Sequence, residues 1–194
     1  MGKTALRWEM AGIVLIILAG SALHFAFEWA DYWRPAALIA AANESTWEHL
    51  KLGFWPGLMF ALVEYPFIRK SVNNFWVAKA LGLLAMPTVI VVLFYGYTVL
   101  AGQNYLLADI MTFILAVIIG QLVSYRFLVT GEIRPAIQRH GPIGLAVMAV
   151  AFSLLTYYPP RFFLFEDPRT NEYGTLEYYD ELGASHLEFV GSRG

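Results

Sequence analysis

His24 and Glu28 stand four residues apart, and Glu44, Glu48 and His49 follow within one polar stretch, NESTWEHLKLGFWP, at positions 43–56. On a helix a spacing of four places His24 beside Glu28, and Glu44 beside Glu48, on a common face. Two imidazoles and several carboxylates, with Asp109 added from further along the chain, are a ligand set for Zn, Mn or Fe. A metal held there polarises a substrate oxygen or acidifies a bound water, and a spare carboxylate takes the proton. On this reading His24, Glu48, His49 and Asp109 are the metal ligands. Glu28 and Glu44 are then the candidate catalytic bases and Tyr157 is a further ligand-binding group. An enzyme built this way is a metal-dependent membrane hydrolase. The same groups also suit a small polar ligand with no metal. A structural alternative uses them differently: Asn43 or Ser45 caps a helix, Glu48 completes a capping box, Lys51 snorkels, and the remaining polar groups join helices. Neither H-E-x-x-H nor G-x-S-x-G occurs to decide among these.

The elements that must position these residues are apolar. Of 194 residues, 58% are hydrophobic and 14% charged, against about 25% charged in an ordinary soluble domain. The chain therefore reads as an integral membrane protein whose first partner is the lipid bilayer. A net charge of -2, with basic residues in short flanks, offers no nucleic-acid surface. The absence of cysteine excludes disulfides, a thiolate nucleophile and Cys-ligated metals. Apolar segments at 10–29, 80–100, 106–129 and 142–158 approach or exceed the ~17 residues needed to cross the hydrocarbon core. A weaker segment, 52–68, contains Pro56 and Glu64, yet reaches spanning length when its helix starts at Thr46. The first segment is too long for a signal-peptide core and lacks a clear cleavage site, so it reads as a retained helix.

The expected fold is all-α: a transmembrane domain of five helices over 1–160, followed by an acidic, aromatic outer tail over 161–194, partly packed on it. With the N-terminus in the cytoplasm, Lys3, Arg7, Arg69, Lys70, Lys79, Arg126, Arg134 and Arg139 fall on the cytoplasmic side. The two outer loops then hold Arg34 and Lys51, so the charge bias favours N-in, C-out. This topology gathers His24, Glu28, the 43–51 stretch, Asp109 and Tyr157 into an outward-facing pocket. Glu64, in the cytoplasmic half, is expected to pair with Arg69, Arg126 or Lys79. Gly53, Pro56 and Gly57, and Gly82 with Pro87, predict bent or broken helices of the kind a small ion or solute transporter uses. Glu166 and Asp167 are candidates to contribute to a site, but as exposed turn acids they need no such role.

NESTWEHLK with FWP at 54–56, HFAFEW at 24–29 and TYYPPRFFLFEDPRTNEYG at 156–174 together resemble a family of small prokaryotic polytopic membrane proteins of unknown function. The resemblance covers most of the chain. It implies a multi-pass protein of the prokaryotic cytoplasmic (inner) membrane and no particular catalytic role for any residue. Beyond the bilayer, the expected partners are further copies of the chain packed through glycine-rich faces, or a membrane protein that this chain serves as an accessory subunit.

Overall fold

The computed structural model describes residues 2–174; the remainder of the expected tail, with His186, lies outside the described residues. The elements are α1 (Gly2–Trp29), α2 (Thr46–Ile68), α3 (Phe75–Ala101), α4 (Leu106–Leu128), a short α5 (Pro135–Gln138) and α6 (His140–Tyr157). Turns of 3-10 helix lie at Arg34–Leu38 and Phe163–Phe165. Among the described residues there is no strand, and an isolated bridge joins Glu166 to Tyr173. The long helices alternate in direction. Thr46 meets the Tyr95 hydroxyl at one end of the bundle, called upper, and Asn74 donates to the carbonyl of Phe127 at the other, called lower.

Four segments, α1, α3, α4 and Pro135–Tyr157, are long and apolar enough to cross a membrane. The chain is a helical membrane protein. Large apolar side chains remain exposed on each of these segments, among them Val14 and Leu18, Val92 and Val99, Leu106 and Leu122, Val147 and Leu154. So much outward apolar area is a liability in water and is suited to lipid contact.

The helix α2 differs from these four. Its 23 residues span about 34 Å, but it carries Glu48, Lys51 and Glu64 and falls outside the apolar set. It is enclosed instead. Lys51, Phe54, Ala61, Glu64 and Ile68 are wholly buried, while Met59, Leu62, Val63 and Phe67 form its outward stripe. Helices α1, α3 and α6 pack around it.

Its N-terminus is capped by Ser45, whose Oγ accepts from the Glu48 backbone N–H at 3.4 Å. The reciprocal half of the expected capping box is absent. Ser45 N–H donates to Asn43 Oδ1 at 2.9 Å, and the Glu48 carboxylate is engaged elsewhere. It accepts from Ala42 N–H and from Thr156 Oγ1, each at 2.8 Å, and lies 2.7 Å from Lys51 Nζ. Lys51 Nζ also donates to Ala37 O at 2.7 Å and Thr156 Oγ1 at 2.8 Å. All three ammonium hydrogens therefore have acceptors. The expectation that Lys51 snorkels outward is corrected: it stands on the inward face beside Glu48 and ties α2 to the 34–38 turn and to α6.

Lys79 is also displaced from its expected place in the lower loop. It is buried about one turn inside α3, with Nζ 2.6 Å from Glu9 and 2.5 Å from Glu64. Of the three cations expected for Glu64, this is the one it meets. Helix contacts elsewhere depend on glycine. A Cβ at Gly20 would lie 2.4 Å from Leu52 O, and one at Gly82 would lie 2.7 Å from Gly120 O, so these backbones touch directly. Both α2 and α3 continue as helices through Pro56 and Pro87, so neither is broken at its Gly and Pro residues.

Replacing Lys51 by Met strands the Glu48 carboxylate in a closed site. Lys51→Met should cost about 3–5 kcal/mol, read as a lower unfolding temperature in detergent, and Glu48→Gln added to it should recover at least half of that loss.

Candidate functional site

At the upper end the last turns of α1 meet the first turn of α2. The rings of His24 and His49 face each other with centroids 5.1 Å apart. Glu44, just ahead of the capping serine, reaches the same point, its Oε2 lying 3.6 Å from His49 Nε2. One ligand atom each from His24, Glu44 and His49 lies within 4.8 Å of the other two. The His49 ring is oriented through Nδ1, 2.9 Å from Ser45 O. A carbonyl only accepts, so Nδ1 carries the hydrogen and, in the neutral ring, Nε2 presents its lone pair toward Glu44. Backbone anchoring of one ring nitrogen is how metal-binding histidines are held. His24 Nδ1 is buried without a hydrogen-bond partner among the described residues.

The tail closes over Glu44 from the far end of the described chain. Arg169 Nη1 lies 3.2 Å from Glu44 Oε1, Asp167 Oδ2 accepts from Glu44 N–H at 3.1 Å, and Asn43 Nδ2 donates to Gly174 O at 3.3 Å. Asp167 was expected to be an exposed turn acid; it is 4% exposed. Its turn folds inward because Oδ1 accepts from Arg169 N–H at 2.8 Å while its carbonyl accepts from Asn171 N–H at 2.8 Å. Glu166 accepts from the Tyr173 hydroxyl at 2.9 Å, and that bond holds the phenol above its ordinary range. Phe163 and Phe165 seat the tail on Tyr95 and Trp47.

The remaining expected site residues lie apart from this group. Glu48 is paired with Lys51 and Thr156, as described above. Asp109 sits at the start of α4, where it accepts from the Tyr97 hydroxyl and, at 3.2 Å, from Asn104 Nδ2. The Tyr157 hydroxyl donates to Arg34 O at 2.5 Å and fastens α6 to the turn after α1. Glu28 is exposed at the end of α1. Thr156 and Arg169 are the polar partners that sequence reasoning misses. A threonine in an apolar span carries no local signature, whereas the turn pattern of Asp167-Pro168-Arg169 does mark a place where the chain can fold back.

The chain belongs to a family of unknown function (DUF6512), whose family model matches residues 2–175. The resemblance holds to this extent, that the family is one of unknown function covering most of the chain. The match takes in all the helices, the 43–51 stretch and the described part of the tail. No curated protein and no solved structure matches the chain.

Proposed function

We propose that this protein is a five-span membrane protein whose upper pocket binds a divalent transition metal, zinc foremost, through His24, Glu44 and His49. One observation carries the reading: His49 Nε2, its lone pair free because Nδ1 is committed to Ser45 O, lies 3.6 Å from the Glu44 carboxylate. A cation placed between two such acceptors is bound by both. A proton satisfies that pair alone; a metal satisfies Glu44, His49 and the unpartnered His24 Nδ1 together. Two imidazoles and a carboxylate are a zinc ligand set that leaves a fourth position for water or a small polar ligand.

The distances support this with modest closure. Zinc bonds of about 2.0–2.2 Å put tetrahedral ligand atoms about 3.4 Å apart. From a set lying within 4.8 Å, closure asks for shifts of roughly 1 Å, within the range of side-chain rotation. Arg169 holds the other carboxylate oxygen, Glu44 Oε1, and its side chain is 72% exposed. A guanidinium charge beside the carboxylate opposes a second cation there without occupying the oxygen that faces His49.

The topology completes the proposal. With α2 as the fifth span, Lys3, Arg7, Arg69, Lys70, Arg126, Arg134 and Arg139 gather at the lower end, against Arg34, Arg161 and Arg169 above. Removing the buried Lys51 and Lys79 from the comparison leaves its direction unchanged, which favours a cytoplasmic N-terminus and an outward-facing pocket.

Zinc titrated into the detergent-purified protein should bind at one equivalent. Glu44→Gln and His49→Ala should each weaken binding at least about tenfold with little change in unfolding temperature, and Arg169→Ala should tighten it. Affinity should fall as the pH is lowered, because protons compete with the metal for the imidazole and carboxylate ligands. Absence of saturable binding, or equal binding by a His24→Ala/His49→Ala variant, contradicts the proposal. Because the chain has no cysteine, Gln103→Cys should react with an impermeant maleimide in intact cells and Gly131→Cys should be protected. The reverse pattern would invert the topology.

A further inference from the structure

A second ionic cluster lies at the other end of α2. Lys79 Nζ of α3 is 2.6 Å from Glu9 Oε1 of α1 and 2.5 Å from Glu64 Oε2 of α2. Helix α4 closes the group: Ser124 Oγ donates to Glu9 Oε1 at 2.9 Å, and Gln121 Nε2 donates to the Glu9 carbonyl at 3.3 Å. The Phe75 ring lies 5.5 Å from the ammonium. Glu9, Glu64 and Lys79 are 2%, 0% and 3% exposed. Among the described residues, Lys79 is the cation paired with both carboxylates.

Two separate counts show that the cluster is incomplete. The first concerns charge. Two carboxylates against one ammonium leave a net negative charge in a closed, apolar setting, where uncompensated charge is strongly disfavoured. The second concerns acceptors. Among the described residues, Glu9 Oε2 and both Glu64 oxygens are buried and accept no hydrogen bond, Glu64 Oε2 meeting Lys79 only as an ion pair, although ionised carboxylate oxygens in such a setting normally accept one. A single added hydrogen neutralises the cluster and turns one of the unpartnered oxygens into an O–H group, so it acts on both deficits at once.

We propose that Glu9 and Glu64 form, with Lys79, a buried proton-binding site that holds one exchangeable proton shared between the two carboxyl groups. The site is close to the lower surface. Lys79 lies four residues after Phe75 and Glu64 four residues before Ile68, each about 6 Å along its helix, so a proton arriving from the lower side crosses about one turn. Loss of that proton sets two anionic groups against one cation at the point where α1, α2, α3 and α4 meet. The junction of these four helices thereby responds to proton concentration at one face of the protein.

Infrared difference spectroscopy of the whole protein in lipid tests this. At neutral pH the wild type should show the C=O stretch of a buried protonated carboxyl, shifted in D2O and lost on alkalinisation. Glu9→Gln and Glu64→Gln each leave one carboxylate for one ammonium, so each should abolish the band in protein that still elutes as a single species. Lys79→Met leaves two carboxyls without a cation and should roughly double the band. A wild type with no such band, as a bound monovalent cation or a fully ionised cluster would give, overturns the proposal even if the variants fail to fold. A band that survives in both glutamine variants also overturns it.

Discussion

A helix that carries Glu48, Lys51 and Glu64 through a membrane protein sets conditions on its neighbours, because each charge needs a partner from another part of the chain. At the upper end the partners are Ala37 O, Ala42 N–H and Thr156 of α6; at the lower end Lys79 of α3 meets Glu64 and Glu9 of α1. Meeting these demands encloses the charged side of α2 and leaves its Met59, Leu62, Val63 and Phe67 stripe, with the more apolar α1, α3, α4 and α6, to face lipid. The glycine contacts between α1 and α2 and between α3 and α4 then allow the backbones to approach closely enough for the short ionic distances to form.

The meeting of His24, Glu44 and His49 follows from the same constraint. Glu48 points inward to Lys51, and the next residue is turned by about 100° around the helix, which directs His49 toward α1 and His24. Ser45 connects the two roles. Its Oγ caps the helix through Glu48 N–H, and its carbonyl fixes the His49 ring. Asp167 holds the backbone of Glu44 and Arg169 its carboxylate. The site is therefore assembled from a helix start fixed by a buried ion pair and from a tail fixed by aromatic contacts.

Much of this architecture is legible in the sequence. Four apolar segments declare themselves by length, and the start of α2 at Thr46 is marked by Ser45 and by the need for spanning length. The convergence of His24 and His49 on one level follows from helix order alone. The partners of the lysines are not legible. A lysine near the end of a helix reads as snorkelling or as a loop charge, and the direction it takes depends on which side of α2 is enclosed. Apolar residues surround α2 on all sides, so its sequence does not show that side. Glu9 has the same difficulty, since it follows Lys3 and Arg7 and reads as part of a flank. The choice of Glu44 over Glu48 as the companion of the histidines is also hidden. Both acids lie near His49 in sequence, and the partners that separate them, Lys51 and Thr156 for one and Arg169 for the other, are set by tertiary packing.

Zinc K-edge X-ray absorption on protein loaded with one equivalent of zinc reports directly on the proposed centre. The account predicts a coordination sphere of nitrogen and oxygen donors with the outer scattering of two imidazoles, reduced to one imidazole in His24→Gln. A spectrum without imidazole scattering, or one that the substitution leaves unchanged, would contradict it.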